Sequence, residues 1–191
     1  MHGPRTHSRS SNLFLVGPMG SGKTAVGRQL SKLLERPFYD SDAEIERRTG
    51  VDIPYIFERE GEAGFRQRER EAIEYLTGIE GIVLATGGGA VLLQENRRWL
   101  TERGYVVYLE TSVAQQAVRV KQGRGRPLLA DSSDPALKLA RLISERGPLY
   151  QEIADVTVST DSRKVRAVAE EILRGLHLRP RARRPRTPWF R

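Results

Sequence analysis

The chain has 191 residues, enough for one domain with a substantial hydrophobic core. It contains no cysteine, which excludes disulfide bonds and thiolate metal sites and suits a reducing, cytoplasmic location. Its apolar runs are all too short for a membrane span, so we expect no association with a membrane through a transmembrane helix.

The formal net charge of +8 comes from the two ends of the chain. Two basic residues in 1–11 and seven in 174–191, out of 32 in all, leave 23 basic against 24 acidic residues between positions 12 and 173. This near-neutral middle part argues against nucleic-acid binding, except through the basic end. Residues 1–11 lack the apolar core of a secretory signal, and a disordered leader is favoured over a transit-like segment. Residues 174–191, rich in arginine and proline, are predicted to be a disordered tail.

Apolar runs alternate along the chain with helical patterns, which is typical of a parallel sheet with helices on both faces. The predicted strands are 13–16, 38–39, 82–85, 106–109 and 156–159. The predicted helices are 25–34, 42–48, 53–59, 63–76, 96–103, 113–121, 135–152 and 164–173. The pattern therefore predicts an α/β three-layer sandwich with its site at the carboxyl ends of the strands.

A glycine-rich loop, GPMGSGKT at residues 17–24, joins the first strand to the first helix. Its glycines allow consecutive backbone N–H groups to surround one anion, and the positive end of the helix points to the same place. Lys23 can reach the β- and γ-phosphates of a nucleotide, and Thr24 can offer its hydroxyl to Mg²⁺. With both flanking elements in place, the motif predicts a nucleoside triphosphate site rather than a chance match in a turn.

Two acidic residues, Asp40 and Asp42, follow the second predicted strand. One carboxylate could face Mg²⁺ or its water shell while the other faces an acceptor hydroxyl. The alternative is that Asp42 only caps the helix that begins there.

Three glycines at 87–89 end the third predicted strand. Glycines at this position provide either a turn with positive φ or a backbone that a ligand can approach closely. Both interpretations can hold together, and a ligand-facing backbone is favoured.

Four arginines are candidates for binding anionic groups. Arg66 lies in a charge-rich helix, where a surface ion pair is the alternative, and Arg146 precedes a Gly-Pro break, where it could present a fork to a carboxylate. Arg126 closes a basic, glycine-rich segment and could neutralise a transferring phosphoryl group or remain solvated. Arg119 could stack on a nucleobase or be exposed. Together with Asp42, the first two suit a small acceptor that carries a carboxylate and hydroxyls.

At this point the chain resembles the shikimate kinases. The resemblance is carried, in family order, by residues 17–24, 38–42, 44–46, 61–62, 65–66, 87–89, 107–110, 126–129, 146 and 148–150. As a set these motifs are highly specific, whereas the P-loop alone indicates only that a nucleotide binds. They place a kinase domain at 12–173, with a substrate-binding insertion at 41–76 and a lid at 121–135.

The resemblance implies a nucleoside-monophosphate-kinase-like fold with a five-stranded parallel sheet in the order 2-3-1-4-5. It implies transfer of the ATP γ-phosphoryl group to the 3-hydroxyl of shikimate, a step toward the aromatic amino acids. ATP would be the co-substrate, Mg²⁺ the cofactor, and the enzyme a cytoplasmic monomer.

The resemblance also implies a role for each matching residue. The ATP phosphates would be lined by Gly20, Ser21, Gly22, Lys23, Thr24 and Ala25, with Thr24 on Mg²⁺ and Asp40 acting through metal-bound water. Shikimate would be held by Asp42, Arg66, Gly88 and Arg146, with Asp42 orienting or deprotonating the attacking hydroxyl. The lid arginine on the phosphates would be Arg126, which with Lys23 and Asp42 makes up the catalytic set. The adenine would be flanked by Arg119 and Arg163.

Three alternatives remain beside this interpretation. One is a related P-loop kinase that acts on another small hydroxy acid, such as gluconate. Another is a nucleic-acid-binding role of the basic tail, and the third is a catalytically inactive homologue with a regulatory role.

Overall fold

The computed structural model describes residues 12–121 and 134–178. The strands are β1 (Leu13–Val16), β2 (Phe38–Asp40), β3 (Val83–Ala85), β4 (Tyr105–Glu110) and β5 (Val156–Ser159). The helices are α1 (Lys23–Leu34), α2 (Ser41–Thr49), α3 (Ile53–Thr77), α4 (Gln94–Arg103), α5 (Val113–Lys121), α6 (Pro135–Ile153) and α7 (Val165–Leu178).

The five strands form one parallel sheet in the order β2-β3-β1-β4-β5. Phe14 in the central strand pairs with Leu84 of β3 on one side and with Val106 of β4 on the other. This topology confirms the predicted fold class and strand order. In this strand order the chain builds the sheet on one side of β1 first, with β2 and β3, and then on the other side, with β4 and β5. The loop after β1 therefore opens into the crevice in which such sheets bind ligands.

Helices cover both faces of the sheet. Successive side chains of β1 point to opposite faces, and each set packs against a different group of helices. Leu13 and Leu15 belong to a core shared with α1 and α7. Phe14 and Val16 belong to the opposite core, shared with α3, α4 and α6. All four side chains are fully buried because β1 is the middle strand of a three-layer sandwich.

Helices α2 and α3 form the insertion between β2 and β3, and they share a small core of their own: Ile45, Ile56, Phe65 and Ala72. Within α3, Gly61 has φ 69° and ψ −174°, which interrupts the helix. This confirms that the stretch is two helical segments, as the sequence predicts, joined at a residue whose positive φ favours glycine.

The structure differs from the sequence predictions near the C-terminus. Helix α7 continues to Leu178, so residues 174–178, predicted as the start of the tail, are helical. The reason is packing, because Leu173 and Leu176 contact the core beneath α7. The predicted leader at 1–11, residues 122–133 of the predicted lid and the tail from 179 onward lie outside the described residues. Within the described ranges, no helix is both long and apolar enough to cross a membrane.

Candidate active site

The P-loop bends sharply between β1 and α1, and its glycines make this possible. Gly17 has φ 143°, and a Cβ there would lie 2.5 Å from the backbone oxygen of Leu109. Gly22 precedes α1 in a left-handed conformation, with φ 90°. The first turn of α1 therefore begins with Lys23, and its backbone N–H groups face the crevice at the positive end of the helix.

Lys23 is buried inside the loop. Its Nζ atom donates hydrogen bonds to the backbone oxygens of Gly17 and Pro18, both at 2.7 Å. The Ser21 side chain is also fully buried and lies 3.4 Å from the same Nζ atom. The backbone N–H of Ser21 donates to the Pro18 backbone oxygen at 3.3 Å, so Ser21 is bonded within the loop, whereas Lys23 holds a positive charge at its base.

Asp40 connects the P-loop to the acidic side of the site. Its Oδ2 atom accepts a hydrogen bond from the Thr24 hydroxyl at 2.8 Å. Its Oδ1 atom accepts from the backbone N–H of Asp42 at 3.1 Å, which makes Asp40 the N-cap of α2. The alternative that Asp42 caps this helix is therefore wrong, since the preceding acid does so and leaves the Asp42 carboxylate available for other contacts.

The Asp42 carboxylate is directed into the interior of the site. Its Oδ1 atom is buried and accepts no hydrogen bond from the described residues. Burial, together with the nearby carboxylates of Asp40 and Glu69, raises the pKa of Asp42 from its ordinary value of 3.8 to about 7, while the positive charge of Lys23 acts against the rise. A carboxyl group with this pKa changes its charge near neutral pH, as suits a group that handles a proton.

Arg66 is not the surface arginine of the alternative interpretation. Its side chain is only 12% exposed and pairs with two acids on α3, Glu62 at 2.8 Å and Glu69 at 2.7 Å. Glu69 is completely buried, and its other oxygen, Oε1, has no hydrogen-bond partner among the described residues. Burial raises the pKa of Glu69, and the positive charges of Arg66 and Arg146 act against that rise.

Glu69 is a site residue that the sequence reasoning missed. A glutamate three residues after an arginine on a helix is usually a surface ion pair. The only available signal was that this spacing places Glu69 on the same helix face as Arg66.

The glycines after β3 lie between the P-loop and these acids. The backbone N–H of Gly87 donates to the buried Ser41 hydroxyl at 2.8 Å. A Cβ on Gly88 would lie 3.4 Å from the backbone nitrogen of Met19 in the P-loop. A Cβ on Gly89 would collide with the guanidinium of Arg66. At Gly87 and Gly89, side chains thus occupy the space that a Cβ would need, whereas Gly88 lies at ordinary contact distance from the backbone of the P-loop.

The P-loop, the two aspartates, Arg66, Glu69 and the glycine segment line one cavity of about 530 Å³. It is lined by most of the residues predicted for the site: Gly20, Gly22, Lys23, Thr24, Ala25, Asp40, Asp42, Arg66, Gly88, Arg119 and Arg146. The apolar wall, which the sequence reasoning did not identify, is formed by Ile53, Pro54, Phe57 and Phe65. Charged groups of both signs thus share one space with an apolar surface that a carbon ring could contact.

Two of the predicted residues stand apart from the cavity lining, and a third lies outside the described residues. Ser21 is buried behind the loop. Arg163 donates to the backbone oxygen of Ser159 and forms an ion pair with Glu171 of α7 at 2.5 Å, so it is held against the protein rather than in the cavity. Arg126 lies outside the described residues.

Arg119 lines the cavity but is tied to the protein by three hydrogen bonds. One nitrogen donates to the backbone oxygen of Gly20 at 2.9 Å and to the Thr160 hydroxyl at 3.1 Å, and another donates to the Thr160 backbone oxygen at 2.8 Å. The guanidinium edge thereby connects the P-loop to the loop after β5. That Arg119 flanks an adenine remains a prediction.

Comparison with known proteins identifies the family of the chain. The sequence model of the family described as shikimate kinase matches residues 19–177. A curated shikimate kinase from Buchnera aphidicola is 52% identical over 163 residues, which are 85% of this chain and 94% of that protein. The chain belongs to the shikimate kinase family. It is therefore a phosphotransferase of a kinase family that uses ATP, which confirms the enzyme class predicted from the sequence.

Solved structures of the family have the same fold. Shikimate kinase from Acinetobacter baumannii, in complex with shikimate, is 50% identical with a TM-score of 0.85, covering 87% of this chain and 93% of that one. Shikimate kinase from Aquifex aeolicus is 37% identical with a TM-score of 0.76, covering 87% and 96%. A gluconokinase from Sinorhizobium meliloti, at 17% identity and a TM-score of 0.54 over 88% and 93% of the two chains, shares the fold alone.

Proposed function

We propose that this chain transfers the γ-phosphoryl group of ATP to the 3-hydroxyl of shikimate and releases shikimate 3-phosphate and ADP. One observation supports the proposal above the others. The P-loop and the set formed by Asp42, Arg66, Glu69 and Arg146 open into the same cavity. A phosphate-binding loop facing paired arginines and a carboxylate suits an acceptor that carries both a carboxylate and hydroxyls.

The acceptor carboxylate is assigned to Arg66 and Arg146. Arg146 is 6% exposed, and its Nε atom has no hydrogen-bond partner among the described residues. A buried guanidinium with an unused donor facing a cavity is expected to bind an anion that restores the missing hydrogen bond. The neighbouring acid Glu69 fixes the fork of Arg66 in place.

The attacking hydroxyl is assigned to Asp42, which lines the cavity and whose Oδ1 atom accepts no hydrogen bond from the described residues. In phosphoryl transfer through a loose transition state, the nucleophile must be aligned more than it must be deprotonated in advance. Asp42 would orient the 3-hydroxyl in line with the γ-phosphorus and accept its proton as the new P–O bond forms. The backbone of Gly88 would contact the remaining hydroxyls.

The nucleotide phosphates are assigned to the backbone N–H groups of residues 20–25 and to Lys23. The ammonium of Lys23 would exchange its backbone partners for phosphate oxygens and neutralise the charge that develops on the leaving group. Arg126 is proposed as the lid arginine and Arg119 as a residue beside the adenine, both from family resemblance.

The residues present fit a magnesium ion, because Thr24 and Asp40 bring two hard oxygen donors together beside the loop. Thr24 would bind the ion directly and Asp40 through a water molecule. Bound Mg²⁺ would supply charge neutralisation on the phosphates. We further propose that the enzyme works in the cytoplasm as a monomer, in the pathway toward the aromatic amino acids.

The test is a coupled ADP-release assay with Mg²⁺-ATP and shikimate, run beside gluconate and a blank without acceptor. We expect ADP release that depends on shikimate and exceeds the gluconate and blank rates. The variant Lys23→Ala should lose about 10³-fold in turnover, because it removes charge stabilisation of the transition state. The matched variant Lys32→Ala changes an exposed lysine on the same helix and should behave like wild type. ATP turnover that ignores shikimate would contradict the proposal.

A further inference from the structure

Two buried hydroxyl groups fix the glycine segment that lies between the P-loop and the acidic side of the cavity. Ser41 accepts a hydrogen bond from the backbone N–H of Gly87. Tyr150 donates a short hydrogen bond to the backbone oxygen of Gly88. Both side chains are essentially inaccessible to water, at 0% and 1% exposure. The first contact comes from α2 of the insertion between β2 and β3. The second comes from α6, the helix that precedes β5.

Tyr150 lies one helical turn after Arg146 on α6, so both side chains are on the same face of that helix. Burial raises the pKa of the Tyr150 phenol above its ordinary value, and a side-chain hydrogen bond and the positive charge of Arg146 oppose this rise. The hydroxyl therefore keeps its proton. It donates that proton to Gly88 and shares a hydrogen bond with the Arg146 side chain, in which the guanidinium can only be the donor.

The ring of Tyr150 is held independently of its hydroxyl. It stacks on Tyr108 of β4, with ring centroids 5.1 Å apart and an interplanar angle of 26°. Both rings belong to the core beneath the sheet. The position of the hydroxyl is thus set by packing, so it can serve as a fixed point for the groups it contacts.

We propose that Tyr150 is a positioning residue for acceptor binding. Its hydroxyl connects Arg146, the proposed carboxylate-binding arginine, to Gly88, the proposed hydroxyl-binding backbone, and so fixes the distance between the two ends of the acceptor site. The inference rests on the proposed function, because it assigns the acceptor to these two groups. Tyr150 itself lies behind the cavity lining and acts through its neighbours.

The test is the variant Tyr150→Phe, which keeps the stacked ring and removes only the hydroxyl. Loss of one or two hydrogen bonds that order the site is expected to raise the KM and the calorimetric Kd for shikimate by about fivefold. The KM for ATP should stay at the wild-type value, and kcat should change by less than about twofold. The matched control Tyr108→Phe removes a phenol hydroxyl from the stacking partner and should leave shikimate binding unchanged.

The outcomes separate this inference from the proposed function. Wild-type enzyme without shikimate-dependent turnover would contradict the proposed function. Wild-type turnover combined with an unchanged shikimate KM in Tyr150→Phe would overturn the inference alone. Parallel changes in both KM values, or an equal effect of Tyr108→Phe, would also overturn it, since they indicate general loss of packing.

A second measurement needs no variant and covers the case in which Tyr150→Phe does not fold. With ring-labelled tyrosine, the Tyr150 hydroxyl proton can be observed by NMR and assigned by its proximity to Gly88. The proton should be protected from exchange, and its resonance should shift when shikimate is added but not when ATP is added. A resonance that shikimate does not affect would overturn the inference.

Discussion

Asp42 and Glu69 each direct a carboxylate oxygen without a described hydrogen-bond partner toward Gly87. A Cβ on that glycine would lie 2.6 Å from Asp42 Oδ1 and 2.7 Å from Glu69 Oε1. The carboxylate of Glu69 raises the pKa of Asp42, since a negative charge nearby disfavours ionisation of the second acid. This corner of the cavity is therefore a strong acceptor of hydrogen bonds and suits a ligand that brings hydroxyl donors.

Replacement of Asp42 by asparagine should remove the proton acceptor while keeping the shape of the side chain. We expect kcat to fall by at least about 10²-fold with little change in the KM for ATP. In the wild type, kcat/KM for shikimate should rise as the pH passes through about 7, because Asp42 becomes ionised there. The rise should be absent in Asp42→Asn. A variant that keeps both the rate and this pH dependence would remove Asp42 from the mechanism.

The same substitution should make the protein more stable at alkaline pH. The pKa of Asp42 is about 7 in the folded protein and near 3.8 in the unfolded chain. Between these values the folded state binds the additional proton, so rising pH destabilises the wild type across this window. Asp42→Asn should raise the free energy of unfolding at pH 8 by roughly 2–4 kcal/mol and have little effect below pH 4. Urea unfolding at both pH values measures this, and a variant less stable than wild type at pH 8 would contradict the burial argument.

Substitution of Gly87 by alanine should disrupt the acceptor site by steric collision alone. The new methyl group would collide with the carboxylates of Asp42 and Glu69 and displace them. We expect kcat/KM for shikimate to fall by about 10²-fold, as follows when catalytic groups shift by about 1 Å. The control is Gly175→Ala in α7, where an added Cβ meets nothing within 4 Å and improves helix propensity. Equal activity of the two variants would show that the space at Gly87 is not required.

Replacement of Arg66 by lysine should separate the contribution of the positive charge to acceptor binding from that of the bidentate guanidinium geometry. Lysine keeps a cation beside the buried Glu69 but cannot contact a carboxylate through two parallel N–H groups. We expect the KM for shikimate to rise about tenfold while the KM for ATP stays constant. Arg68→Lys is the matched control, because Arg68 lies on the same helix but is 38% exposed and pairs with Glu60. A change confined to the KM for ATP would refute the assignment of Arg66 to the acceptor.

The parts of this molecule that sequence could predict are those set by local chemistry. The apolar run at β1, the glycine-rich loop and the break at Gly61 follow from side-chain size, hydrophobicity and backbone freedom, and the structure has them where expected. The alternative that Asp42 caps α2 was wrong because Asp40 does so, and helix starts cannot be placed to one residue from a pattern. This error is small, since it depends on neighbouring residues only.

The parts that sequence could not predict depend on contacts between distant segments. Glu69 is buried because α3 packs its charged face over the glycines after β3, and a buried glutamate has no distinct pattern in a charged helix. Arg163 is paired with Glu171 of α7 and is absent from the cavity lining, a contact between segments that no pattern indicates, while its assignment to the adenine stays a prediction. The extension of α7 to Leu178 depends on leucines that find a core beneath them. Each of these outcomes requires the tertiary structure.

The position of the new phosphate on the product tests the proposed transfer to the 3-hydroxyl most directly. The product of wild-type enzyme, Mg²⁺-ATP and shikimate can be examined by phosphorus–proton correlation NMR, which identifies the carbon that bears the phosphate. We expect a single product phosphorylated at the 3-hydroxyl, because the proposed role of Asp42 is to align that hydroxyl with the P-loop. Phosphate on another hydroxyl, or free phosphate as the main product, would contradict the arrangement of Asp42, Arg66 and Arg146 around the acceptor.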